Sequence, residues 1–418
     1  MENVSTESTT LNPGKLNQLA RKLVLGQLGQ VNDGELRVVE GDQRDTLGQP
    51  AADGLQASFH VNDPSAWRDM LTGGSIGAAE AYVAGDWDSP DLVALMRLFA
   101  RNLDRLNQFE DRFSWVSKPA LRALHWVNRN SQSGSRKNIQ AHYDLGNELF
   151  TRFLDPTMMY SAGIFENADS TLEEAQICKL DTICRKLDLQ PDDRVVEIGT
   201  GWGGFALHAA RHYGCHVTTT TISQEQHDWA ARRIAEEGLE DRITLLFDDY
   251  RDLEGKFDKL VSIEMIEAVG PQYLDTYVGT LNKLLKPDGL ALIQAITLPE
   301  QRYERALKNV DFIQRYIFPG SFIPSVGAIL GATQTQSNLT LTHAEDIGFH
   351  YARTLSCWRE RFLANRQALQ DLGYDDAFIR LWCFYFSYCE AGFAERAIGV
   401  SQLLFAKPRN QRPNLLST

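Results

Sequence analysis

From Pro191 onward, short apolar runs alternate with longer stretches of mixed polarity: RVVEIG, HVTTTTI, ITLLFDDY, KLVSIEM and GLALIQAIT. Each run is rich in Val, Ile, Leu or Thr and is bounded by polar residues, which predicts strands. Their alternation with helical stretches predicts an α/β domain with a mostly parallel sheet. Residues 16 to 110 mix strand-like GELRVVEG and LQASFHV with the helical DLVALMRLFARNLDRL, the pattern of a smaller α+β domain. Beyond Asp346 the chain reads as helical and aromatic, as in FIRLWCFYFSYCEAGFAERAI. Residues 1 to 15 are polar and predict disorder.

At 418 residues the chain has room for two domains. No apolar run approaches the ~20 residues of a membrane-spanning helix. The N-terminus lacks the apolar core of a secretory signal, so the expected location is cytoplasmic. The net charge of −13 disfavours nucleic acid as a partner. The cysteines (Cys178, Cys184, Cys215, Cys357, Cys383, Cys389) form no CxxC, and neither disulfides nor a metal site are expected. Against the acidic background, residues 111–138 carry Arg112, Lys118, Arg122, Arg129, Arg136 and Lys137 among Trp115, Trp126 and apolar neighbours. That segment suits an anionic bilayer surface, or else an interdomain helix with solvated charges.

VVEIGTGWGGFALHAA places Glu197 at a strand end, then Gly199, Gly201, Gly203 and Gly204, then a helix. Such a turn lets a ligand approach backbone N–H groups at a helix N-terminus. Dinucleotide-binding folds share it but want a carboxylate about 20 residues on for the ribose. That place holds VTTTTI instead. Glu197 before the first glycine, and Asp248, Asp249 and Tyr250 at a later strand end, fit an adenosyl ligand without pyrophosphate better. S-adenosylmethionine is therefore favoured over a nicotinamide cofactor.

AHYDLGNELFTRFLDPTMMYS, VVEIGTGWGGF, TISQEQ, DYRDL, VSIEMIEAVG, DFIQRYIFPG and FYFSYCEAGFAERAI together resemble the cyclopropane fatty-acid synthases and related lipid methyltransferases, densely from Ser135 to Pro408. The resemblance implies a class I methyltransferase fold, a Rossmann-like seven-stranded sheet, in a catalytic domain spanning 139–410. It implies S-adenosyl-L-methionine contacts at Tyr160, Ser161, Gly199, Gly201, Thr221 and Gln226, and at Tyr250, which with Glu197 and Asp249 completes the expected cofactor set. His142 and Tyr143 are expected to open a helix over the cofactor. The implied substrate is an unsaturated acyl chain, usually of a membrane phospholipid. An alkene is a poor nucleophile, so the sulfonium methyl must be held close in a dry channel. Aromatic faces steady the resulting cation, and a base removes a proton.

In the similar family that base is a bound bicarbonate. Its site falls here on Glu267, Tyr351, Gln294 and the backbone at Ala162 and Ile296. Gln294 stands at a histidine position, Ala162 at a cysteine position, and Ala268 where a histidine commonly follows the glutamate. Glutamine donates a hydrogen bond but carries no charge and relays no proton. Glu267, Tyr351, Gln294 and Cys389 are the candidate catalytic residues, Cys389 as pocket lining. Glu264 reads as a helix-start acid facing water. The expected function is alkylation of an acyl double bond, giving a cyclopropane or else a methyl- or methylene-branched chain. The alternatives are a small-molecule N-methyltransferase and a non-catalytic lipid-binding protein. The expected partner is a phospholipid acyl chain, with the protein peripheral to the inner face of the membrane and a homodimer left open.

Overall fold

The computed structural model describes residues 13–106 and 146–413. Most of the N-terminal segment, the basic segment 111–138, and His142 and Tyr143 lie outside the described residues. The chain divides into two units: one takes in the N-terminal residues to Ala120 with Asp375–Phe384, and the other takes in Leu121–Tyr374 with Tyr385–Thr418.

The first unit holds strands β1 (Gly34–Glu40), β2 (Gln43–Gln49), β3 (Gln56–Val61) and β4 (Trp87–Asp88) in the order β2-β1-β3-β4. Helices Pro13–Leu28, Ser65–Ala84 and Leu92–Arg101 accompany them. Alternate residues of β1 and β3 (Leu36, Val38, Ala57, Phe59) are buried, as a sheet with one covered face requires. Phe59 packs on two buried tryptophans, Trp67 and Trp87. The helix that begins at Pro13 starts inside the segment expected to be disordered.

In the second unit, the apolar runs become β5 (Arg194–Ile198), β6 (His216–Thr220), β7 (Ile243–Leu246), β8 (Phe257–Ile263) and β9 (Leu285–Thr297). They are mutually parallel, and β10 (Thr340–Asp346) and β11 (Gly399–Ala406) add antiparallel pairings at one side. The seven-stranded order is β10-β11-β9-β8-β5-β6-β7. Both faces are covered. Val195, Leu292 and Leu404 pack towards helices Leu172–Leu187 and Gly204–Tyr213, while their neighbours Val196, Ile293 and Leu403 pack towards Leu274–Leu284 and Val326–Gln336. Burial on both faces makes these strands continuous apolar runs. β10, by contrast, is an edge strand of largely exposed, polar residues. Among the described residues no helix is long and apolar enough to cross a membrane.

Candidate functional site

The chain runs outward from β5 to β6 and β7, then recrosses to β8. This leaves a crevice beyond the carboxyl ends of β5 and β8, where open α/β sheets take their ligands. The glycine turn lies there. Gly199 (φ 101°), Gly201 (φ 52°) and Gly203 (φ 89°) all adopt left-handed backbone that favours glycine. A Cβ on Gly199 would press within 3.1 Å of Met265, whereas Gly201 has open space beside it. Thr221 donates to Gln226 (2.8 Å) at the start of helix Gln224–Glu236. The Tyr250 hydroxyl is buried without a partner. An adenosyl group with polar edges fits these residues. The Asp249 carboxylate is already held by both arms of Arg251 (2.7 and 2.6 Å).

Glu197 follows Val195 by two positions and so shares its face, beneath helix Leu172–Leu187. That helix is started by a reciprocal cap, Thr171 and Glu174 each accepting the other's backbone N–H. Glu197 is 2% exposed and accepts from Thr219 (2.6 Å). Burial pushes its carboxyl up to about 8, against the Thr219 hydrogen bond and the charge of Lys179. Lys179 is itself fully buried and donates to the Ser161 hydroxyl (2.8 Å). Gln176 holds the Ser161 carbonyl (2.9 Å). Ser161 is thus positioned by the helix beneath it.

The raised Glu197 carboxyl makes a stability prediction. Its neutral form is the one the fold favours, so its contribution is complete below the ordinary value of 4.5 and is lost as pH rises through about 8. Glu197→Gln keeps the shape and the Thr219 acceptor without the ionisation. Urea titrations are expected to show wild type losing stability between about pH 5 and about pH 8, and the variant losing less. An identical slope in the two proteins would contradict this placement of the charge.

At the end of β8 stand two acids. Glu264, expected to face water, is instead partly buried and turned inward. Its carboxylate accepts from the Ala162 N–H (2.9 Å) and from the Gln294 amide (2.8 Å). The Tyr351 hydroxyl is near it. The physical reason is its backbone: at φ 48° the chain leaves the strand in a left-handed turn, with the Glu264 N–H on the Gln294 carbonyl (2.7 Å). Glu267 accepts from the Ile296 N–H (2.5 Å), and its other oxygen is buried without a partner. Burial, and after it the Glu264 carboxylate, push the Glu267 carboxyl up to about 8. The donors at Ala162, Gln294 and Ile296 are therefore turned to carboxylates of the chain itself.

Gln294 has its orientation fixed from behind. Lys186, which can only donate, binds the carbonyl end of Gln402 (2.6 Å). The Gln402 amide then donates to the Gln294 carbonyl (2.9 Å), leaving the Gln294 amide for Glu264. This line is set by register, since Gln402 and Gln294 are paired residues of β11 and β9.

Aromatic rings crowd beside the acids. Trp358 lies 5.2 Å from Tyr160 and 5.8 Å from Tyr351, centroid to centroid. Tyr351 stacks on Phe393 at 4.6 Å, and the Tyr160 and Tyr385 hydroxyls are 3.0 Å apart. Burial pushes the Cys389 thiol far up, so it stays protonated and carries no nucleophile. Sequence reasoning read Glu264 as facing water and passed over Gln402, Lys179 and Trp358. β11 was hidden in the aromatic tail, and only its pairing with β9 brings Gln402 to the site.

The family model for mycolic acid cyclopropane synthetase matches residues 130–403. The chain is 37% identical to tuberculostearic acid methyltransferase UfaA1 of Mycobacterium tuberculosis, over 88% of this chain and 86% of that protein. It is 38% identical to the cyclopropane-fatty-acyl-phospholipid synthase of Escherichia coli, over 84% and 88% respectively. Among solved structures, mycolic acid cyclopropane synthase CmaA1 complexed with SAH and CTAB aligns with a TM-score of 0.61 at 31% identity, covering 65% of this chain and 98% of that one. A coclaurine N-methyltransferase shares the fold at 19% identity (TM-score 0.60, 78% of this chain and 98% of that one).

Proposed function

The chain belongs to the mycolic acid cyclopropane synthetase family and is an S-adenosylmethionine-dependent methyltransferase of the cyclopropane fatty-acid synthase type, and from that premise we propose that it alkylates the cis double bond of an unsaturated acyl chain in a membrane phospholipid. The observation that carries this reading is the meeting of a buried acid pair and an aromatic cluster at the carboxyl end of the same sheet as the glycine turn. S-adenosylmethionine supplies an electrophilic methyl group. The chain's own residues do the rest: the glycine turn and Tyr250 hold the donor, and Tyr160, Tyr351 and Trp358 offer ring faces to positive charge on the acyl carbons. A hydroxyl nucleophile there would trap the cation. The Tyr160 and Tyr385 hydroxyls are hydrogen-bonded to each other, which blunts that reaction.

The product we propose is a cyclopropane, with the protein acting as a peripheral enzyme at the inner face of the membrane through its basic, tryptophan-bearing segment. A methyl- or methylene-branched product is the second reading, favoured by the absence of an imidazole at Gln294 and Ala268. Labelled S-adenosylmethionine offered with unsaturated phospholipid vesicles and with free amines tests the substrate class. Label is expected in acyl chains, and label confined to amines would overturn the proposal. Mass spectrometry of the acyl chains then separates products: the ring form gains one CH2 and loses its double bond, whereas a methylene-branched chain gains one CH2 and keeps one.

A further inference from the structure

The resemblance to cyclopropane synthases brings with it a free bicarbonate, and the site does not fit one. Of its implied donors, the Ala162 N–H and the Gln294 amide converge on the Glu264 carboxylate, and the Ile296 N–H is on Glu267. A second anion would have to displace a covalently tethered one and sit beside Glu267, a repulsive arrangement away from water. We propose that Glu264 supplies the anion of this site from the chain itself and is the proton acceptor of the reaction, so that turnover needs no bicarbonate. The inference rests on the proposed function and deepens it.

Three independent features support the assignment. The first is backbone geometry: left-handed backbone is unfavourable for a non-glycine residue such as Glu264, and such strain concentrates where a side chain must be aimed. The second is the fixed line from Lys186 through Gln402 to Gln294, which makes the amide a permanent donor to Glu264. A glutamine there is what a tethered carboxylate requires: a neutral donor with no proton of its own to lose. The third is the difference between the two acids. Glu264 has donors from Ala162 and Gln294, whereas Glu267 has the Ile296 N–H and one oxygen without a partner. When the pair holds a single proton, hydrogen bonds to the charged form place it on Glu267 and leave Glu264 ionised.

The step balances as follows. The alkene π pair forms a bond to the sulfonium methyl carbon while the S–CH3 pair returns to sulfur, giving a neutral thioether and a cation on the adjacent acyl carbon. Glu264 then takes a proton from the new methyl group, and the freed C–H pair closes the three-membered ring. The Glu264 carboxyl, now neutral, returns its proton to solvent before the next turnover.

The test uses the full-length protein, unsaturated phospholipid vesicles and buffer stripped of carbon dioxide, with bicarbonate added back. Wild type is expected to turn over at the same rate with and without bicarbonate. Glu264→Gly, which suits the left-handed backbone, and Glu264→Gln are each expected to lose about 100-fold or more in kcat, with melting temperature and S-adenosylmethionine affinity retained. Bicarbonate is expected to restore part of the activity of Glu264→Gly, whose donors it exposes, and none of that of Glu264→Gln, whose amide fills the space. Such rescue would not follow from a merely structural role. An active wild type accelerated several-fold by bicarbonate overturns this inference alone, as does full activity of either variant in stripped buffer. A wild type inactive on every unsaturated phospholipid overturns the proposed function and this inference with it.

Discussion

Glu267→Gln is expected to lower kcat by about 100-fold or more while S-adenosylmethionine binds as before, the scale of a lost acid–base group. The substitution is nearly isosteric and keeps an acceptor for the Ile296 N–H. What it removes is the ability to exchange a proton. Glu267 has that ability in the useful range, since burial and the neighbouring Glu264 hold its carboxyl at about 8. The amide also puts an N–H where the native oxygen has no partner, costing about 1–3 kcal/mol of stability at most. That loss is too small to unfold a typical domain. Single-turnover rates with unsaturated phospholipid, beside calorimetric titration of the methyl donor, separate the two effects. Near-native turnover would remove Glu267 from the mechanism.

Trp358→Ala is expected to act first on stability, by about 3–5 kcal/mol in denaturant titration. The indole is fully buried and touches Phe153, Tyr160, Tyr351 and Phe386. Its removal leaves a cavity that these rings, each fixed by other partners, close only in part. Tyr160→Phe, which gives up the hydroxyl contact with Tyr385, is expected to cost only about 1 kcal/mol. Packing therefore outweighs the hydrogen bond here. A Trp358→Ala protein as stable as wild type would mean that the cluster repacks freely, against its proposed role as a fixed wall.

The parallel core was legible because burial on both faces writes continuous apolar runs into the chain, and β5 to β9 fall on them. β10 was not, because an exposed edge strand keeps polar residues. The glycine turn was legible as a turn, since the left-handed backbone of Gly199, Gly201 and Gly203 leaves its mark in residue type. Glu264 could not be read the same way. Its left-handed backbone carries no such mark, and the acid resembled a water-facing helix start. Gln402 lies 108 residues from Gln294, and only the β9–β11 register makes them neighbours.

The line of amides behind Glu264 has a direction, and it transmits orientation without conducting protons. A glutamine amide donates but does not ionise, and a backbone N–H such as that of Ala162 behaves likewise. Of the groups beside Glu264, the Glu267 carboxyl, held at about 8, both gives and accepts a proton. On the proposed mechanism a proton taken up at Glu264 is thus sealed off on the Lys186 side and passes out by way of Glu267. Turnover would then need two acids for one proton, the first to take it and the second to hand it on.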